Sequence, residues 1–223
     1  MILIVTGVVA IAAVAAHLAE LRTDLRQIIG VMTATESGGL DAAEAEAWNS
    51  RAHDQLQAMN CKSALTFFEA ATQCGVQRAE YYQDLANCML IYRRDASEVF
   101  HLTENQVFDR VETLFKFAIQ LNPDDFELSC DFASSFYMMH PARWVHARHA
   151  WEIAGKSAKS VLNHEFVNLN LARLDIKQGK FDDASARLQL VKSAKNQDAH
   201  DMLFQMLVRE RSKWKARAGN SNT

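Results

Sequence analysis

Proline and glycine are scarce in this chain: two prolines and eight glycines in 223 residues. So few breakers exclude a turn-rich β architecture and favour long helices. Charge of one sign is also missing. Twenty-four Lys and Arg against 27 Asp and Glu leave a formal net charge of -3. That balance offers no global attraction to nucleic acid or to an anionic surface. The four cysteines, Cys61, Cys74, Cys88 and Cys130, form no Cys-x-x-Cys pair. Their spacing gives no secreted disulfide framework, so they read as small buried hydrophobes in a reducing compartment. There is no Asn-x-Ser/Thr acceptor for N-glycosylation.

Chemistry-bearing motifs are missing as well. The chain has no glycine-rich phosphate loop, no Gly-x-Ser-x-Gly and no His-Glu-x-x-His. No catalytic, cofactor-binding or metal-ligating residue is assigned, and the expectation is a protein that is not an enzyme. His140, His146 and His149 invite comparison with a metal site, since His146 and His149 share a helix face. No cysteine or acidic ligand follows at a recognised zinc spacing, and the three read as surface histidines. The run Arg209, Arg211, Lys213, Lys215 and Arg217 reads first as a solvated helix face near a helix C-terminus, where cations are favoured. Its second reading is contact with phosphate.

The strongly apolar stretch is Ile2 to Ala19, about 27 Å long as a helix. Three readings stand. The first is a membrane anchor: Arg22 and Arg26 follow the run and no basic residue precedes it, which would leave the rest of the chain in the cytoplasm. The second is a secretory signal with a small-x-small site at Ala13-Val14-Ala15, which would make the protein periplasmic or secreted. The third is a helix that packs on the rest of the protein. Leu21, Leu25, Ile28, Ile29 and Met32 continue the segment as one amphipathic face to residue 36. Ser37-Gly38-Gly39 opens a hinge at 37–44.

From residue 45 to 198 the chain repeats itself. Trp48 and Ala52 are followed by Ala64, Phe68 and Ala71. Leu171-Ala172 is followed thirteen residues after Leu171 by Ala184, across the turn Gly179-Lys180-Phe181-Asp182-Asp183. Between these lie two looser units. One has Tyr82, Leu85, Ala86 and Met89, then Phe115, Ala118 and Leu121-Asn122-Pro123. The other has Phe132, Ala133 and Phe136, then Ala147, Trp151 and Ala154. Small residues let paired helices approach closely, and large ones fill the gaps between units. This pattern resembles the tetratricopeptide (TPR) repeat, whose unit is a pair of antiparallel helices spanning about 34 residues. Departures are Gln55 at the tyrosine place, and Leu188 and Val191 at later Phe and Ala places. About 13 extra residues fall within Leu90 to Val107, where Thr103 and Gln106 have the spacing of a capping box. About two more fall near His140-Pro141, with Pro141 expected in the first turn of a helix.

The resemblance implies an all-α α-solenoid of about four TPR-like helical hairpins. It would carry an apolar N-terminal helix (1–36), a capping helix (199–217) and a disordered tail (218–223). In the cap, Leu203, Met206, Leu207 and Trp214 would face the last repeat. It also implies a concave face lined by the first helix of each pair. The groove residues would be Asn49, His53, Leu56, Gln83, Asn87, Leu90, Ser134, Tyr137, Met138, Leu169, Arg173 and Ile176. Chaperone-binding relatives clamp a terminal carboxylate with basic and amide side chains; here Asp84, Glu127 and Asp131 stand at such places and would repel one. The expected function is a scaffold or adaptor holding a protein or peptide, tethered to a membrane through Ile2 to Ala19. The alternatives are a periplasmic or envelope assembly factor and an RNA-binding helical repeat, the last disfavoured by net charge.

Overall fold

A computed structural model describes residues 40–220, and these residues are helical with no strand among them. The expected N-terminal apolar helix, its amphipathic continuation and Ser37-Gly38-Gly39 lie outside the described residues. The chain divides into two compact units, Met1–Tyr81 and Tyr82–Thr223.

In the first unit α1 (Leu40–Gln57) and α2 (Cys61–Gln73) pack as a hairpin. The expected hinge at 37–44 is therefore already helical from Leu40. The turn depends on Met59 in the left-handed region (φ 60°) and on Asn60 N–H donating to Gln55 O at 2.8 Å. Ala45, Ala52, Ala64, Leu65, Phe68 and Ala71 are buried, and Trp48 stacks on Phe67 with ring centroids 5.4 Å apart. Beyond Gly75 (φ 73°) the chain is fastened back onto α1. Arg78 pairs with Glu46 at 2.7 Å and the Tyr81 hydroxyl donates to the same carboxylate at 3.0 Å.

The second unit begins within α3 (Ala79–Ile91) and continues through α4 (Arg93–Phe100), α5 (Glu104–Leu121), α6 (Phe126–Ser135), α7 (Trp144–Ser157), α8 (Val161–Lys177), α9 (Phe181–Leu188) and α10 (Gln197–Asn220). Helices next to one another in the chain pack on one another: α5 on α6, α6 on α7, α7 on α8, and α8 on α9. Phe115 lies 5.6 Å from Phe132, and Phe132 5.3 Å from Phe136, which continues the core from helix to helix.

The small-residue positions read from the sequence carry the packing. Within their own units Ala52, Ala64, Ala71, Ala86, Ala118, Ala133, Ala147, Ala154, Ala172 and Ala184 are all at most 1% exposed. A larger side chain at such a contact would have to push two helices apart. The large partners Phe68, Leu85, Met89, Phe115, Phe132 and Trp151 are fully buried. Together these features make a TPR-like, all-α arrangement of helical hairpins in tandem.

The extra residues between the halves of the second pair form a helix, α4, which packs on α5 and buries Ala96. It ends at His101 in the left-handed region (φ 53°). Arg93 Nε donates to Glu104 at 2.8 Å. The expected capping box then opens α5: Gln106 N–H donates to Thr103 Oγ1, and the Gln106 side chain returns to Thr103 N–H at 2.9 Å. Pro141 is placed differently from expectation. It lies in a bend with a cis His140–Pro141 bond, and α7 starts later, at Trp144. Without a side-chain cap at Arg143, the bend rather than the proline delivers the chain into the helix.

The terminal helix α10 is longer than 199–217, running from Gln197 to Asn220. Residues 218–220 of the expected disordered tail are thus helical, and 221–223 lie outside the described residues. Leu203 and Leu207 are buried in one cluster with Leu169, Ala172, Ile176, Ala184 and Leu188, and Met206 packs on its edge. Trp214 remains largely exposed but sits edge-on to Phe181 at 6.0 Å. Among the described residues no helix is long and apolar enough to cross a membrane.

Candidate partner-binding face

The first helix of each pair in the second unit is α3, α6 or α8, and these position most of the expected groove residues. Gln83 and Asn87, one turn apart on α3, are half-buried. Gln83 Nε2 donates to Asp131 on α6 at 2.8 Å, which ties the two helices together through their polar face. Ser134 is exposed at the end of α6. The short turn Phe136–Met138 then presents Tyr137 and Met138. Tyr137 is half-buried and its hydroxyl donates towards Asn170 Oδ1 at 3.4 Å. The Arg173 guanidinium lies 5.7 Å from its ring centroid, a cation–π distance.

Three expected groove residues are not on this face. Leu169 and Ile176 are each 3% exposed and belong to the core cluster beneath α9 and α10. Leu90 is buried as well. The correction has a physical reason. Two elements, α9 and α10, pack on α8. Their combined demand takes the Leu169 and Ile176 stripe into the core. The open face of α8 is rotated from it and carries Leu162, Phe166 and Arg173, spaced four and seven residues apart, while Asn170 between the last two is buried and bonded to Phe166 O and to the Tyr137 hydroxyl. Arg173 belongs to both faces. Asn49, His53 and Leu56 fall on one face of α1 in the first unit. Asn49 is buried, Leu56 is half-buried, and exposed His53 meets Phe68 edge-on at 5.0 Å.

Phe166 is the residue that sequence reasoning missed. It is 42% exposed, yet its ring is held edge-on by Trp151 at 5.8 Å and by Phe126 at 6.5 Å. A large apolar ring fixed in place and left open to water is the usual anchor of a protein contact. Met138 and Leu162 are likewise open, 41% and 37% exposed. The signal in the sequence was the i, i+4 pair Leu162 and Phe166.

The electrostatics of this surface are acidic on α6. Burial, with Asp131 and Glu127 nearby, pushes the Cys130 thiol up to about 12. A thiol so fully protonated is a poor nucleophile and a poor metal ligand at neutral pH. Burial likewise pushes the Tyr137 phenol up, so it stays a hydrogen-bond donor.

The histidines expected on the surface do not converge. His146 Nδ1 lies 2.9 Å from Glu112 Oε2, and His149 Nδ1 lies 3.8 Å from Glu152. Among the described residues no group of three or more His, Cys, Asp or Glu is arranged to hold a metal ion. The buried carboxylates are structural. Glu112 on α5 receives Lys116 at 2.7 Å as well as His146. Glu165 on α8 accepts the backbone N–H groups of Lys192 and Ser193 at 2.8 and 3.0 Å, pinning the segment after α9.

No protein-family model and no curated protein matches the chain. Among solved structures it is similar to one described as the functional characterization of Pseudomonas aeruginosa pilF. That match has 15% sequence identity and a TM-score of 0.35, and covers 79% of this chain and 99% of that one. The likeness is too loose to carry residues or activity across.

Proposed function

We propose that this protein is a non-catalytic scaffold whose second unit grips a helical or extended segment of a partner protein. The contact is the face formed by Tyr137 and Met138 with Leu162, Phe166 and Arg173. The observation that carries the reading is Phe166: a large apolar ring, 42% exposed and braced by two other aromatics. Beside it half-buried Arg173 supplies a hydrogen-bonding rim group, part of the usual composition of a recognition surface. Gln83, Asn87 and Ser134 extend the proposed contact, and in the first unit His53 and Leu56, beside buried Asn49, are proposed as contacts in their own right. We propose also that Ile2 to Ala19 tethers the chain to a membrane and leaves the repeats in the cytoplasm.

The test is site-specific photo-crosslinking in the cell. A photoreactive residue at exposed Leu162 should capture a discrete partner, and Phe166→Ala should abolish that product. The same probe at Glu152, exposed on α7, should capture none. Equal capture at both positions, or capture indifferent to Phe166→Ala, would sink the reading. For the tether, fractionation with mass spectrometry of the N-terminus should find an intact Met1 in the detergent-soluble membrane fraction. A mature N-terminus near Ala16 would instead mean a cleaved signal.

A further inference from the structure

The end of the second unit is set apart from the Phe166 face by its own lining of apolar and basic side chains. A cavity of ≈ 210 Å³ lies between the C-terminal end of α8, the start of α9 and the outer half of α10. Its apolar lining is Ile176, Phe181, Met206 and Trp214. Around these stand Lys177, Arg209, Lys213 and Arg217, with Glu210 the one carboxylate. Cofactor and drug-sized pockets run from about 300 Å³ upwards, so this volume suits a single bulky side chain and not a small-molecule cofactor.

Trp214 is built for such a contact. It is 56% exposed, yet its ring lies on the turn that ends α8 and edge-on to Phe181. Gly179 makes the approach possible: it has φ 74°, and a Cβ there would stand 3.2 Å from two atoms of the indole. The ring is thus held in place before any ligand arrives, which lowers the entropic cost of binding.

The charge decides which ligand fits. The chain as a whole is slightly acidic, with a formal net charge of -3, but here four cations face one carboxylate. Glu210 engages Lys213 at 2.9 Å and Arg209 at 3.3 Å, which holds those two side chains at the cavity mouth. An apolar pocket ringed by cations fits an apolar side chain flanked by carboxylates. Single-stranded nucleic acid fits less well. It calls for an extended cationic track with successive stacking rings, and would meet the Glu210 carboxylate here.

We propose that this cavity binds an acidic peptide segment of a partner protein, with a bulky apolar side chain inserted against Trp214 and Phe181 and its flanking carboxylates on Lys177, Lys213 and Arg217. The site is separate from the Phe166 face and stands or falls independently of it.

The experiment is fluorescence anisotropy with the full chain and a labelled peptide carrying one phenylalanine flanked by glutamates. Binding is expected. The double variant Lys213→Glu with Arg217→Glu should weaken it by about tenfold or more, since both side chains would turn from attracting to repelling. Serine in place of the peptide's phenylalanine should weaken it similarly, and Phe166→Ala should leave it unchanged. Both charge reversals are at exposed positions, and an unchanged melting temperature will show that the fold is intact. No binding at millimolar peptide, or binding indifferent to the double variant, overturns the proposal. So does preference for a labelled oligouridylate over the peptide, which would make the site one for nucleic acid.

Discussion

Arg187 Nε on α9 donates to Asp175 Oδ2 on α8 at 2.9 Å, and this carboxylate is fully buried. Its other oxygen receives Arg148 from α7, so one aspartate joins three consecutive helices. Removing its charge leaves two guanidinium groups, each less than one-third exposed, without their partner. Breaking a buried pair of this kind costs about 3 kcal/mol or more. Asp175→Asn should therefore lower the urea midpoint markedly. Arg211→Ala, which removes an exposed pair with Asp182, should cost less than about 1 kcal/mol in the same assay.

The Thr103 cap offers a local test. Its hydroxyl accepts from the first turn of α5, and the Gln106 side chain closes the box. Thr103→Ala should cost about 1 kcal/mol. Hydrogen exchange should rise first at the amides of Glu104 to Val107, with little change in α8.

Gly179→Ala combines two penalties. The residue sits at φ 74°, and the added methyl would press on the Trp214 ring. A loss of about 1 kcal/mol or more is expected from the backbone alone. A double-mutant cycle with Trp214→Ala separates the parts: the steric share should vanish in that background and the backbone share persist. Full additivity would mean that the indole moves aside without cost.

Acid should weaken the second unit through Glu165. The backbone N–H of Lys192, the Asn196 amide and Ser193 hold its carboxyl at about 2, below the usual carboxylate range. A depressed folded-state value means the unfolded chain takes up its proton first. The stabilisation is then complete above pH 4.5 or so, and is lost as pH falls towards about 2. Glu112 acts in the same direction: burial pushes it up, and the Lys116 and His146 hydrogen bonds outweigh that and leave it lowered. Chemical denaturation from pH 6 to pH 2 should show a shallower loss for Glu165→Gln than for the parent chain.

What could be read in advance follows from how local each signal is. The alanines at close helix contacts were legible because a small residue at a fixed spacing has one main use in a helical pair. The turn at Gly179 and the Thr103 cap were legible for the same reason, since both are decided within a few residues. The insertion was legible as surplus length, but not as the helix α4, because eight residues carry too little periodicity. Asp175 and Glu165 were not legible: acids in an amphipathic helix are ordinarily solvated, and only the arrival of Arg148, Arg187 and the Lys192 backbone makes burial affordable. The misplaced groove residues Leu169 and Ile176 fail for a related reason. A repeat frame assigns one neighbour to each face, and α8 has α9 and α10 on the same side.

Because the helices of the second unit pack mainly on their neighbours in the chain, its resistance to force is distributed along it. Pulled by its ends, such an array yields one hairpin at a time, at low force and over a long extension, where a β-sandwich would rupture at once. The pieces that yield last should be those around α8, where Asp175 and Glu165 fasten helices on both sides. The second unit is in this sense a spring with one stiffened coil, and the Phe166 ring lies on that coil.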